Sequence, residues 1–141
     1  MGRLVDDEIL DRSQEFALRI ILLVRALPRD SAGQHLGLQL LLAGTSAGIY
    51  LHKADAAVTQ EDTQSYLQSA LDEVRQAPYW LGLIRRAALL PRWRLGDIED
   101  LAGQLLSRCE KLCPVHAGPG LPAQMGVHGS PSHSSGTTSQ D

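Results

Sequence analysis

The sequence predicts an all-α protein: an up-down-up-down four-helix bundle followed by a disordered C-terminal tail. Three observations carry that expectation. Apolar residues recur three and four positions apart in four separate stretches, no stretch alternates with period two, and short Pro- or Gly-containing turns separate the stretches. Past Pro114 the composition shifts to Gly, Pro, Ser and His, with too little apolar surface to offset the entropy of ordering. The expected division is therefore a bundle domain over residues 1–113 and a tail over 114–141.

The first helix is expected from about Asp6 to Leu27, where Phe16, Ile20, Leu23, Val24 and Leu27 form one stripe and Pro28 stops it. "PRDSAG" is a turn cluster, and a second helix follows from about Gly33 to Ala54. Thr59, with Asp62 three residues on, is an N-cap for a long third helix that reaches Leu90 and halts at Pro91. Its seam is Leu67, Ala70, Val74, Ala77, Leu81 and Ile84. The fourth helix spans roughly Leu95 to Leu112 on Ile98, Leu101, Leu105, Cys109 and Leu112. Pro78 conflicts with the third helix, because it removes one backbone hydrogen bond and crowds the carbonyl of Val74. A kink or a true break would follow. The apolar register continues unchanged across it, which favours the kink.

The second helix holds the oddest stretch, "QLLLAGTSAGIYLHKAD". Its apolar run, 36–51, is interrupted by Gln39, Thr45 and Ser46 and falls short of the ~20 residues a membrane span needs. No membrane partner is expected. Ala43, Gly44, Ser46, Ala47 and Gly48 make a patch of small side chains, and each glycine costs about 1 kcal/mol of helix propensity relative to alanine. Close approach of another helix offsets that cost, either inside the bundle or between subunits. Tyr79 and Trp80 read as packing residues of the same interfaces, with the indole N–H needing a partner wherever it is buried.

"QLLLAGTSAGIYLHKADAA" followed by "DTQSYLQSALDEVRQAPYWLGLIRRAALL" resembles the signature of the four-helix-bundle proteins of the 23S rRNA intervening-sequence family. Gly44-Thr45-Ser46-Ala47-Gly48 carries the first half, and Ala70-Leu71, Glu73, Arg75 and Tyr79-Trp80-Leu81 carry the second. The likeness covers about residues 8 to 112. It implies a cytoplasmic, non-enzymatic homo-oligomer, a pentamer. A related branch, the accessory variability proteins of diversity-generating retroelements, implies a basic ring that binds a reverse transcriptase and its RNA. The chain departs from the pattern at Ile49-Tyr50, Lys53-Ala54 and Gln76-Ala77-Pro78, which puts any shared polar network in doubt.

With 13 Lys and Arg against 16 Asp and Glu, the formal charge of −3 excludes no class of partner, because local patches decide binding. The strongest patch is "IRRAALLPRWR", where Arg85, Arg86, Arg92 and Arg94 surround Trp93. Guanidinium forks bind phosphate and stack on bases, so these four, with Lys53 and Arg75, are the nucleic-acid candidates. The alternative is a solvated helix end, its arginines meeting the helix dipole or paired with Asp97, Glu99 and Asp100.

Cys109, Cys113 and His116, with His128 and His133 beyond, do not supply the four convergent ligands of a structural zinc site, and Cys109 lies on the apolar stripe. No metal and no cofactor is expected. Asp72 and Glu73, as helical neighbours, point about 100° apart and cannot work as an acid–base pair. His35 and His52 have no evident nucleophile, and P-loop, G-x-G-x-x-G and H-E-x-x-H motifs are missing from the sequence. The expectation is a non-enzymatic homo-oligomeric scaffold that binds RNA or a reverse transcriptase complex through a basic surface, or alternatively a purely protein-binding module. The acidic start "MGRLVDDEILDRSQEF" lacks a secretory pattern, and two cysteines suggest no disulfide framework, so a cytoplasmic location is expected.

Overall fold

A computed structural model describes residues 4–113; the expected tail, and with it His116, His128 and His133, lies outside the described residues. Four helices occupy them: α1 Asp7–Arg25, α2 Ser31–Ala56, α3 Gln60–Arg86 and α4 Gly96–Leu112, with a 3-10 turn, Arg92–Arg94, before α4. The first three begin on side-chain caps. Asp6 accepts from the amide of Ile9 at 3.0 Å, Asp30 from Gly33 at 2.9 Å and Thr59 from Asp62 at 3.0 Å, each satisfying an amide the helix leaves orphaned.

α2 runs two residues further than expected at each end, Ser31–Ala56 against Gly33 to Ala54, and two other helices end early. α1 stops at Arg25 rather than Leu27, and α3 stops at Arg86 rather than Leu90. The early end of α3 has a clear cause. Ala88 takes a left-handed φ of 54°, Leu89 donates its amide to the carbonyl of Ile84 and Ala88 donates to Arg85, which is a Schellman termination. Glycine usually fills that left-handed position, so nothing in the sequence marks it. α3 runs unbroken through Pro78, whose ring lies exposed; the alternative of two shorter helices does not occur.

The helices form a square in which α1 packs on α2, α2 on α3, α3 on α4 and α4 on α1. Successive helices run antiparallel. Arg108, near the end of α4, therefore lies 3.4 Å from Asp6 at the start of α1, while Arg85 at the end of α3 pairs with Glu99 at the start of α4. Phe16, Ile20, Leu40, Leu51, Leu67, Leu71, Leu81, Ile84 and Leu105 fill one continuous core. Ser13 is the buried polar residue among them, and its hydroxyl donates to the Leu10 carbonyl at 2.8 Å.

α1 and α2 meet over a stripe of glycines. A Cβ on Gly33 would stand 1.9 Å from the Pro28 carbonyl oxygen, one on Gly37 would stand 3.0 Å from Val24, and one on Gly44 would stand 2.4 Å from the Ile20 Cδ1. The small residues thus let α1 lie close against α2 within one chain. None of the described helices is long and apolar enough to cross a membrane.

Candidate functional site

The antiparallel square gives the bundle two unlike ends. At one end lie the α1–α2 and α3–α4 connections, which bring Arg25, Arg29, Arg85, Arg86, Arg92 and Arg94 to the same pole. At the other lie Asp6, Asp7, Glu8, Asp11, Asp55, Glu61 and Asp62. The arginine end also holds Asp30, Asp97, Glu99 and Asp100 and the acidic end Lys53, Arg108 and Lys111, so the formal charge of −3 hides a partial separation of charge rather than two poles of single sign.

The four arginines around Trp93 are not equivalent. Arg85 is bound to Glu99 through two nitrogens, with both side chains about two-thirds buried, and the carboxylate holds the guanidinium pKa above its ordinary value. Arg85 is therefore spent on tying α3 to α4. Arg86, Arg92 and Arg94 are exposed, and no carboxylate of the described residues pairs with them. Arg94 instead lies over the Trp93 ring, 5.6 Å from its centroid. Arg85, Arg86 and Arg92 border a shallow concavity of about 790 Å³, floored by Ala88, Leu90 and Pro91. Asp97 lies 3.9 Å from Arg19 and lines one concavity with Trp93 and Arg94 without an ion pair to Arg94.

The other two basic candidates lie elsewhere. Arg75 is 3.6 Å from Glu110 and Lys53 lies over the rings of Tyr50 and Tyr66, both toward the acidic end of the bundle. The structure does not bring them together with the arginine turn. Arg25 and Arg29 do share its pole, although nothing in the local sequence draws attention to them; the antiparallel topology alone could have found them.

Of the small and aromatic candidates, Gly44 and Ala47 are buried and Gly48 and Ser46 half-buried. Gly48 lies beside Ser13, where a Cβ would make ordinary contact at 3.6 Å. Trp80 is half-buried between Tyr79 and His35 in edge-to-face contacts, with centroids 5.0 and 6.1 Å away. Its indole nitrogen is buried with no hydrogen-bond partner among the described residues. Tyr79 projects outward and stays mostly exposed.

Sequence reasoning missed the largest unpartnered feature, the outer face of α2. Leu38, Leu42 and Ile49, four and seven residues apart, share that face at 53, 51 and 56% exposure. Leu18, Ile21 and Leu22 of α1 are exposed as well, and Leu22 lines a concavity toward Trp93, Asp97 and Ile98 rather than the face of α2. The available signal was that Leu38, Leu42 and Ile49 lie off the stripe of Leu40, Ala47 and Leu51 that faces the core, so the apolar residues of α2 exceed one face.

Neither thiol is arranged as a nucleophile. Burial pushes the Cys109 thiol up to about 12, with Cys113 as the next cause, and burial raises Cys113 as well. Burial, then Asp72, raises the Glu73 carboxyl. Among the described residues no three His, Cys, Asp or Glu side chains converge as a metal site.

No protein-family model matches the chain, and no curated protein matches it in sequence. Among solved structures, the fold is similar to a protein of unknown function from the S23 ribosomal protein family of Bacteroides thetaiotaomicron. The two share a TM-score of 0.70 and 27% identity over 76% of this chain and 96% of the other. That neighbour is compatible with the intervening-sequence resemblance carried by residues 44–48 and 70–81.

Proposed function

We propose that the protein is a non-enzymatic, self-assembling helical scaffold that holds RNA at its arginine-rich pole. The observation that carries the assembly is the uncovered apolar stripe of Leu38, Leu42 and Ile49 on α2. An apolar stripe on the outside of a bundle is stable in water when another body covers it, and a second copy of this chain offers the same stripe. The family resemblance implies a ring of five, which would repeat the arginine pole around one rim and multiply its local field. A reverse transcriptase complex is the kind of RNA-bearing partner the same resemblance implies.

The rival reading, a protein-binding module with no affinity for nucleic acid, draws support from Arg85, which Glu99 already occupies. Light scattering at low and moderate salt, with and without a short structured RNA, separates the two. The scaffold reading expects a multimer that gains mass with RNA at low salt, and loses that gain in R86A/R92A/R94A while remaining a multimer. L42E/I49E should fall to a single chain with its helical signal intact. A multimer indifferent to RNA would favour the rival, and a monomeric native chain would overturn the assembly.

A further inference from the structure

Trp93 is 79% exposed, the most exposed aromatic residue of the described chain. An indole usually finds an apolar neighbour to cover it. Trp93 instead only borders a concavity that it shares with Leu22, Leu23, Arg94, Asp97 and Ile98, and most of its surface stays in solvent. Trp93 sits in the middle of the 3-10 turn, whose amides close back onto it: Arg94 donates to the Pro91 carbonyl and Leu95 to the Arg92 carbonyl, both at 3.0 Å. Leu90 and Leu95 are buried on either side and pin the turn into the core. The Schellman termination at Ala88 fixes the other arm of the connection. The indole is thus held outward on a rigid support, which reduces the ordering entropy that a binding partner must overcome.

Its surroundings define the chemistry of that partner. The Arg94 guanidinium lies over the ring and orients it, while Arg86 and Arg92, both without carboxylate partners, stand on the adjoining concavity. A flat hydrophobic face beside guanidinium groups that no carboxylate pairs matches a base and its flanking phosphates, with Asp97 as the one carboxylate lining the concavity of Trp93 and Arg94. Bases inside a duplex are stacked on each other and present only their edges, so they cannot lay a face against the Trp93 ring. We infer that Trp93, Arg86, Arg92 and Arg94 form a stacking site for an unpaired nucleotide, so that the arginine pole selects single-stranded RNA over duplex. This rests on the RNA reading above and goes further by naming the form of RNA. An acidic peptide would satisfy the arginines and leave the indole face unused.

The test compares a labelled single-stranded twelve-adenosine RNA with the same strand paired to twelve uridines, titrated into the full chain. Native protein should bind the single strand better than the duplex, with Trp93 emission quenched by the single strand in a Trp80→Phe background. Trp93→Ala should weaken the single strand about tenfold or more, Trp93→Phe should stay within about threefold of native, and duplex affinity should not move, since stacking on an aromatic ring contributes at that scale for each base. Arg86→Ala with Arg92→Ala should flatten the salt dependence by the phosphates released.

Equal binding of the two RNAs, unaffected by Trp93→Ala, would overturn the stacking site and leave the RNA reading standing. No binding of either RNA at low salt would overturn both. Loss of mass in Trp93→Ala would make the residue a subunit contact and sink the inference. So would quenching by an oligoglutamate peptide in place of RNA.

Discussion

The two faces of α2 are built from the same apolar alphabet and do opposite things. Gly37, Gly44 and Gly48 face α1, and Leu38, Leu42 and Ile49 face outward. On the inner face the side chains have been removed so that two helices approach closely, and the contact is between backbone and the side chains of Val24, Ile20 and Ser13. On the outer face the side chains are large and uncovered. Removing bulk shortens an interhelical distance that is already fixed by a short turn, whereas retaining bulk creates surface that another body must cover. Glycine spacing read alone leaves a contact inside the bundle or between subunits; within this chain it serves the α1–α2 contact, and the leucines are the surface left over.

That contrast can be broken most severely at Gly33. Gly33→Ala places a methyl group 1.9 Å from a backbone carbonyl that cannot rotate aside, so denaturant unfolding should show a loss of about 3 kcal/mol, the upper range for overpacking. Gly82→Ala, with nothing within 4 Å, is the control and should stabilise slightly.

A smaller effect is expected at Gly44. There the new methyl meets the end of Ile20, a flexible group in a core with little room, and the expected loss is about 1–2 kcal/mol. Gly48→Ala meets only ordinary contact and gains helix propensity, so stability should rise by up to about 1 kcal/mol. Equal losses at Gly44 and Gly48 would refute the distinction between them.

The interior can also be probed without substitution. The Cys109 thiol ionises near pH 9 when unfolded and is pushed up to about 12 by burial. Between those values the unfolded chain holds fewer protons than the native one, so its contribution to stability is complete below pH 9 and is lost as pH rises toward 12. The slope is at most about 1.4 kcal/mol per pH unit. Cys109→Ala should flatten that alkaline decline, whereas the exposed leucines carry no such dependence. An identical decline in the variant would show that Cys109 does not cause it.

Much of the bundle was legible because its signals are local. The stripe through Phe16 and Ile20, the seam from Leu67 to Ile84 and the Thr59 cap each depend on residues within a few turns of each other. The end of α3 was less legible, because Ala88 adopts a conformation that its side chain does not advertise. The arginine turn was visible as a cluster, but which arginine is bound was not. Glu99 lies fourteen residues from Arg85 and only the reversal of direction between α3 and α4 joins them. Arg75 and Lys53 looked equivalent to the cluster by charge, yet Arg75 lies mid-helix against Glu110 and Lys53 near the opposite end of α2.

By itself, then, the sequence determined four amphipathic or apolar helices, their order, their connections and a chain rich in small residues at the middle of α2, since periodicity and capping act over distances shorter than a helix. Tertiary structure alone decided which face of α2 turns inward, which arginines remain unpaired and that all six pole arginines share one end. α2 carries apolar side chains on its outer face as well as its core face, so periodicity alone does not choose between them. Contacts with α1 and α3 choose one for it, and antiparallel packing converts separations in sequence into neighbours in space.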